Sequence, residues 1–299
     1  MKKSVSMLLA ALMLTGALAG CGSSASTSDS QAEDGADSGV SGAITVISRE
    51  DGSGTRGAFI ELTGVEEKTA DGKKVDNTTA DAEIANKTDV VLTSVAGNEK
   101  AIGYISLGAL NDTVKAVKVD GAEATVDNVK AGAYKLSRPF NIATKGEPTG
   151  VAKDFISFIL SKEGQAVVTD NKYIAVNDAA ESFVSDGSSG QIAVGGSSSV
   201  SPVMEKLIEA YKSVNPNASI DLQTSDSTSG MTGAMDGTFA IGMASRELKD
   251  EEAAQLTGIA IALDGIAVIV NPANTIDELS MDQIKSIYIG DITDWGDLA

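Results

Sequence analysis

The feature that most constrains the fold is a repeated order of short β-branched strand, Gly- and Ser-rich turn, and helix. Residues 43–47 (AITVI) form a strand-like run, residues 51–55 (DGSGT) a polar turn, and residues 56–62 a helix-like segment. The second half repeats this order, with a strand at 192–194 and a turn at 195–199. Such alternation predicts an α/β architecture with largely parallel sheets.

Further elements are predicted from local patterns. Residues 90–92 and 101–105 look like short buried strands, and residues 149–168 form one helix with apolar residues at helical spacing. Ser280 and Gln283 have the spacing of a capping box and predict a helix start.

The composition excludes several classes of function. The 299 residues include 42 acidic and 23 basic side chains, a net charge of −19, which argues against binding to nucleic-acid phosphates. The chain has no histidine and one cysteine, so it cannot form a Ser-His-Asp triad, a His-ligated metal site or an internal disulfide. No cofactor and no metal are predicted.

The N-terminal segment has the pattern of an export signal. Residues 1–20 have a positive start, an apolar stretch too short for a comfortable membrane span, and small residues before Cys21. This ending resembles a bacterial lipobox, in which the signal peptide is cleaved and the new N-terminal cysteine carries lipid. Residues 21–42 are rich in Ser, Gly, Ala and Asp and predict a disordered tether. We therefore expect an exported protein that is anchored to the outer face of the cell membrane through lipid on Cys21.

Three turns rich in Gly, Ser and Thr each precede a predicted helix, at residues 48–56, 195–199 and 224–230. Unpaired N–H groups, the helix dipole and hydroxyls at such a position can bind an anion without a net positive charge on the protein. The alternative is that these are ordinary caps and loops. No nucleotide P-loop and no Gly-x-Ser-x-Gly elbow occurs.

Five segments together resemble the phosphate-binding lipoprotein of Pst-type phosphate ABC importers. They are 49–56 (REDGSGTR), 195–202 (GGSSSVSP), 241–249 (IGMASRELK), 264–272 (DGIAVIVNP) and 290–295 (GDITDW). The resemblance covers nearly all of residues 43–299. It implies a two-lobed type II periplasmic-binding-protein fold with the anion in the cleft between the lobes. It also implies a monomer without enzymatic activity that delivers inorganic phosphate to a membrane permease.

The resemblance also identifies candidate phosphate-binding residues. They are Arg49, Asp51, Ser53, Gly54 and Thr55 in the main loop, Ser198 and Ser199 in the second, Ser227 or Thr228 in the third, and Ser245 with Arg246. Several relatives have aspartate at the position of Arg246. The arginine either adds positive charge toward the anion or points away from it.

The order of the segments differs from that of the usual family member. The half that normally comes last is placed first, as in a circular permutant, and residues 182–190 join the two halves. By resemblance, residues 43–138 with 265–299 form one lobe and residues 139–264 form the other. Because the two chain ends would once have been consecutive, we expect them to emerge close together.

Asp51 is the candidate with the sharpest chemical meaning. A carboxylate beside a bound oxyanion is unfavourable unless the oxyanion carries a proton to donate. Hydrogen phosphate has that proton and sulfate at neutral pH lacks it, so Asp51 in the cleft would reject sulfate.

Three other functions are considered. One is binding of another tetrahedral oxyanion such as sulfate or molybdate. Another is an exported hydrolase with Asp51 or Ser53 as nucleophile, which would need a base or a metal cluster that the sequence lacks. The third is a sensor or adhesin that keeps the fold without transport.

Overall fold

The computed structural model describes residues 40–298. The predicted signal peptide, Cys21 and most of the predicted tether therefore lie outside the described residues. The described residues belong to one compact unit. Among residues 40–298, no helix is both long and apolar enough to cross a membrane.

Helices and strands alternate along the described chain. The helices are α1 (Gly54–Thr63), α2 (Thr88–Ala96), α3 (Val126–Lys130), α4 (Gly150–Leu160), α5 (Lys162–Asp170), α6 (Ser201–Val214), α7 (Ser227–Asp236), α8 (Asp250–Ala253) and α9 (Met281–Ile289). The strands are β1 (Thr45–Arg49), β2 (Glu66–Lys68), β3 (Lys74–Asp76), β4 (Glu83–Ala85), β5 (Ala101–Ser106), β6 (Lys115–Ala116), β7 (Lys118–Val119), β8 (Ser137–Thr144), β9 (Gly190–Ser197), β10 (Ala218–Ser225), β11 (Ile241–Ala244), β12 (Thr257–Val270) and β13 (Glu278–Leu279).

One mixed sheet runs through the described fold, and two small two-stranded sheets, β7 with β13 and β2 with β3, lie outside it. The order of the mixed sheet is β10-β9-β11-β8-β12-β5-β1-β4, with β6 added beside β12. The pairs β1 with β5 and β9 with β10 are parallel, as the alternation of strands and helices predicts. The long strand β12 is antiparallel to β8 over residues 257–265 and to β5 over residues 266–270. It thus passes from one half of the sheet to the other.

Each half of the sheet has its own hydrophobic core. In the first core Phe59 stacks on Tyr104 with ring centroids 3.9 Å apart, and Tyr288 packs edge-on against Phe59. In the second core Phe155 and Tyr211 pack with centroids 5.0 Å apart. Two cores joined through shared strands form the two-lobed α/β architecture that the sequence predicts.

Two sequence predictions of local structure are wrong. Residues 90–92 belong to helix α2, because Val91, Leu92 and Val95 share one buried helix face. The helix predicted over 149–168 is two helices, α4 and α5, which are separated at Ser161. The extended backbone of Ser161 lets its hydroxyl accept the Gly164 N–H at 3.2 Å and cap α5.

The capping box at α9 is confirmed. The Ser280 hydroxyl accepts the Gln283 N–H at 3.1 Å, and the Gln283 side chain accepts the Ser280 N–H at 2.8 Å.

Residues 182–190 are predicted as a linker; residues 182–189 have no helix or strand and are held against the second core, and Gly190 begins β9. Phe183 packs edge-on against Phe158 with ring centroids 5.3 Å apart. The Ser185 hydroxyl donates to Asp154 at 2.7 Å. The segment is therefore tied to the body of the protein at more than one point.

Asp154 is a buried carboxylate surrounded by neutral donors, and we call this group the Asp154 network. Besides Ser185, its donors are the Asp186 N–H at 2.9 Å, the Tyr211 hydroxyl at 2.7 Å and the Asn215 amide at 3.1 Å. Burial raises the pKa of Asp154, but these donors outweigh it and bring the pKa below its ordinary value.

The two ends of the described chain lie side by side. The Ile44 N–H donates to the Thr293 carbonyl at 2.8 Å, and the Trp295 N–H donates to the Gly42 carbonyl at 3.1 Å. The segment that enters β1 is thus hydrogen-bonded to the segment that follows α9.

Candidate anion-binding site

Hydroxyl side chains from both halves of the sheet meet where α1, α2, α6 and α7 begin. All of them are at most 7 % exposed. We call this group the hydroxyl cluster; its members are Thr55, Thr88, Ser197, Ser198, Ser199, Ser227 and Ser245. Helix N-termini supply partial positive charge and free N–H groups, so the cluster lies in an environment that favours an anion.

The hydroxyls contact one another across the two halves. Thr55 Oγ1 lies 2.8 Å from Ser199 Oγ and 3.3 Å from Ser245 Oγ. Ser197 donates to Ser245 at 2.9 Å, and Thr88 lies 3.4 Å from Ser199. A hydroxyl can donate and accept, so these contacts can be exchanged for contacts to a small oxyanion.

Arg49, at the end of β1, brings a cation to the cluster. Its side chain is 2 % exposed and forms a bidentate pair with Glu50, with both N–O distances 2.8 Å. Its Nη2 also donates to Ser198 Oγ at 3.1 Å. Its Nη1 is buried and has no hydrogen-bond partner. A buried N–H donor without a partner is costly, and an anion beside it would remove that cost.

Arg138 is a second buried arginine at the cluster, which sequence reasoning did not identify as a site residue. It is 3 % exposed, its Nη1 lies 2.6 Å from Asp264 Oδ2, and its Nη2 donates to Thr55 Oγ1 at 3.0 Å. Burial raises the pKa of Asp264, and the charge of Arg138 offsets part of that rise.

Two glycines allow the chain to pack closely here. A Cβ on Gly54 would collide with Ser227 Oγ and lie 2.8 Å from Ser245 Oγ. Gly196 has φ +135°, and a Cβ there would collide with the Met243 carbonyl. Gly54 therefore lets the start of α1 approach the hydroxyls of Ser227 and Ser245, and Gly196 lets β9 approach the backbone of β11 and α7.

The structure does not bring Asp51 into the cluster, which corrects the expectation for this residue. Its side chain is 97 % exposed and pairs with Arg56 at 3.0 Å. Arg56 is itself fixed by the Arg49 carbonyl at 2.7 Å and by Asp76 at 2.9 Å, so it draws Asp51 outward. Ser53 caps α1 by accepting the Arg56 N–H at 3.3 Å.

Arg246 and Thr228 lie at the edge of the cluster. Arg246 forms a bidentate pair with Glu252 at 2.7 and 2.8 Å, and its Nη2 donates to Thr228 Oγ1 at 3.3 Å. Burial raises the pKa of Glu252, but Arg246 and the Lys249 N–H together outweigh it, and the pKa lies below its ordinary value. Thr228 donates both its N–H and its hydroxyl to the Gly52 carbonyl. Of the two sequence alternatives for Arg246, the geometry favours the one in which it points away.

Each of the three arginines that contact the cluster or its edge is paired with a carboxylate, which balances its charge. The pairs are Arg49 with Glu50, Arg138 with Asp264 and Arg246 with Glu252. Attraction for an anion then comes from hydroxyls, N–H groups and directed guanidinium donors. In the part of the chain that the structure describes, no group of three or more Cys, Asp or Glu side chains is placed to hold a metal ion.

Sequence reasoning missed Thr88 and Arg138. Thr88 begins helix α2, and the residues that follow it, 90–92, are predicted from the sequence to form a strand. The sequence prediction includes residue 138 only as the last residue of a lobe segment, although a charged residue between Leu136 and Phe140 is an unusual placement that points to a partner or a ligand.

The comparisons first define the class of protein. A family model described as the PBP superfamily domain matches residues 24–163 and 182–299. The class is that of substrate-binding proteins with a two-lobed fold.

Individual relatives identify the family within this class. Phosphate-binding protein PstS 2 of Streptococcus agalactiae serotype V is 49 % identical over an alignment of 300 positions that covers 99 % of this chain and 98 % of that protein. The protein of the same name from Streptococcus pneumoniae serotype 4 is 48 % identical over 99 % of each chain. The crystal structure of a phosphate-binding protein of a phosphate ABC transporter from Streptococcus pneumoniae is 50 % identical, with a TM-score of 0.69 over 86 % of this chain and all of that one. The chain belongs to this family of PstS phosphate-binding proteins.

Proposed function

We propose that the protein captures inorganic phosphate outside the cytoplasm and delivers it to the membrane permease of an ABC importer. As a member of its family it is a substrate-binding protein and not an enzyme. The observation that carries the choice of site is the meeting of buried hydroxyls from both halves of the fold, together with Arg49, which donates to Ser198 and whose Nη1 has no partner. The choice of phosphate follows the relatives, which are phosphate-binding proteins.

The proposed phosphate-binding residues are those that converge. They are Arg49, Ser53, Gly54, Thr55, Thr88, Ser198, Ser199, Ser227 and Ser245. Ser53 and Gly54 contribute through the start of α1, and the others through side-chain donors. Asp51, Thr228 and Arg246 stand outside this set because their side chains are engaged at the surface or at the edge.

Isothermal titration calorimetry with phosphate, and then with sulfate, tests the function. We expect one phosphate per chain and tighter binding of phosphate than of sulfate, because the relatives of this chain are phosphate-binding proteins. Equal affinities would favour a general tetrahedral-oxyanion binder. No binding of phosphate would overturn the proposal.

The two lobes are proposed to be residues 43–138 with 265–299, and residues 139–264. The two separate hydrophobic cores support this division, and so does the passage of β8 and β12 between them. Because the hydroxyl cluster draws on both lobes, phosphate should close them by a hinge. Small-angle scattering should give a smaller radius of gyration with phosphate than without, and identical profiles would argue for a rigid site.

The permuted order of the halves is also proposed. The hydrogen bonds between Ile44 and Thr293 and between Trp295 and Gly42 support it, since they place the two ends together. Joining Ala299 to Ala43 by a short Gly/Ser linker and reopening the chain between Ser189 and Gly190 should give a folded protein that binds phosphate. A folded product without binding would contradict the proposed arrangement of the loops.

We also propose that the protein is a monomer and that lipid on Cys21 anchors it to the membrane. In cells fed a labelled fatty acid, the wild-type protein should carry label and sediment with membranes. Cys21→Ala should abolish both. Label that persists in Cys21→Ala would overturn this assignment, and light scattering of the purified protein checks the monomer.

A further inference from the structure

We propose that Arg138, held by Asp264, is a positioning residue that directs the Thr55 hydroxyl proton toward the bound anion. The inference rests on the proposed phosphate site. It concerns a buried ion pair that lies behind the site and makes its contact with the site through Thr55.

Arg138 is fixed at the place where the strands cross between the two cores. It lies on β8 and Asp264 on β12, the two strands that pair across this boundary. Its Nη1 donates to Asp264 at 2.6 Å and to the Gly265 carbonyl at 2.9 Å, and its Nε donates to the Ser245 carbonyl at 3.2 Å. Its guanidinium also lies 5.1 Å from the centre of the Phe140 ring. These contacts fix the Arg138 guanidinium in one orientation.

In that orientation Nη2 lies 3.0 Å from Thr55 Oγ1. A guanidinium has only donors, so this contact must use a lone pair of the threonine oxygen. The single proton of Thr55 must therefore be donated elsewhere. The other neighbours of Oγ1 are Ser199 Oγ at 2.8 Å and Ser245 Oγ at 3.3 Å, both inside the hydroxyl cluster. Arg138 thus makes Thr55 a donor into the site.

The partner carboxylate fixes the arginine and balances its charge. The Asp264 side chain is fully buried. Without Asp264, Arg138 would be an uncompensated cation in the interior. Arg49 differs, because its unpartnered Nη1 is available for direct contact with an anion. The two arginines therefore have separate roles, Arg49 as a contact residue and Arg138 as a positioning residue.

A double-mutant cycle in phosphate affinity tests this role. Arg138→Lys keeps the charge beside Asp264, but a single ammonium cannot also reproduce the fixed fork toward Thr55, so we expect phosphate Kd to rise about tenfold. Thr55→Val should raise Kd at least as much. In the double variant the Arg138 change should add less than about twofold, because its effect acts through the missing hydroxyl. A merely structural role would instead give additive losses, which would overturn the inference.

The controls separate folding from positioning and from the proposed function. Asp154→Asn changes another buried carboxylate, remote from the cluster, and should leave Kd unchanged. If Arg138→Lys does not fold, as judged by circular dichroism, Asp264→Asn with Thr55→Val replaces it in the cycle, with the same non-additivity expected. If the wild-type protein itself fails to bind phosphate, the proposed function falls and this inference with it. If the wild-type protein binds phosphate and the effects of the two changes on Kd are additive, this inference alone is overturned.

Discussion

The hydroxyl cluster and the Asp154 network are two buried polar regions with similar donors and different contents. Asp154 is an internal anion that four donors satisfy. In the hydroxyl cluster the donors contact one another, and the nearby carboxylates are already engaged by arginines. In the Asp154 network the donors already bind an internal carboxylate, whereas the hydroxyl cluster has donors available for an anion from outside.

Their places in the fold match this difference. The Asp154 network lies beside the second core and holds residues 182–190 against it. The hydroxyl cluster lies between the two cores, with Thr55 on one side and Ser199 on the other. We expect changes in the first region to alter stability and changes in the second to alter ligand affinity.

The largest effect is expected for Arg49→Gln. The variant removes the cation that faces the cluster and leaves Glu50 without its partner, so phosphate Kd should rise at least about a hundredfold. Lys285→Gln is the charge-matched control, because Lys285 pairs with Glu67 at the surface. Calorimetry should show little change in phosphate Kd for the control. A similar loss of affinity in both variants would mean that only the net charge of the protein matters.

Asp154→Asn should act on stability instead. An amide retains one acceptor and turns an NH₂ toward donors, so the free energy of unfolding should fall by about 2 kcal/mol while phosphate Kd stays the same. Denaturant unfolding and calorimetry measure the two quantities. Weakened phosphate binding would contradict the separation of the two regions.

The same residue predicts a pH dependence. Because the pKa of Asp154 in the folded protein lies below its ordinary value, its stabilisation is complete above that ordinary pKa and is lost as the pH falls through the folded value. Unfolding followed from pH 7 downward should therefore show a smaller acid-induced loss in Asp154→Asn than in the wild type. Parallel curves would contradict the assignment.

Thr88→Ala should raise phosphate Kd about tenfold, the usual effect of removing one hydrogen bond to an anion. Thr93→Ala is the matched control on the same helix, because the exposed Thr93 hydroxyl only donates to the Asp89 carbonyl. Equal effects of the two changes would mean that α2 contributes through helix stability alone.

The smallest effect is expected for Asp51→Asn. Because the Asp51 side chain is 97 % exposed, Asp51→Asn should change the affinities for phosphate and for sulfate by less than about twofold. A strong gain in sulfate affinity would place Asp51 in the closed cleft and restore the rejection mechanism that the sequence suggested.

Much of the site could be predicted because its loops are local. The glycines and hydroxyls at 52–55 and 197–199 precede helices in the sequence itself, and these segments adjoin the cluster. Thr88 was missed because the β-branched residues after it favour a strand, and only burial of one helix face reverses that preference. The pairing of Arg138 with Asp264 and Thr55 joins distant positions, so no local pattern contains it. The direction of Asp51 depends on how Asp76 fixes Arg56, which is again a tertiary contact.

A crystal structure of the protein grown with phosphate tests the central claim most directly. We predict one phosphate within hydrogen-bond distance of Arg49 Nη1 and of the hydroxyls of Thr55, Ser198 and Ser199. Phosphate bound instead in the surface groove lined by Gly52, Asp226 and Phe239, with the hydroxyl cluster unchanged, would contradict the account.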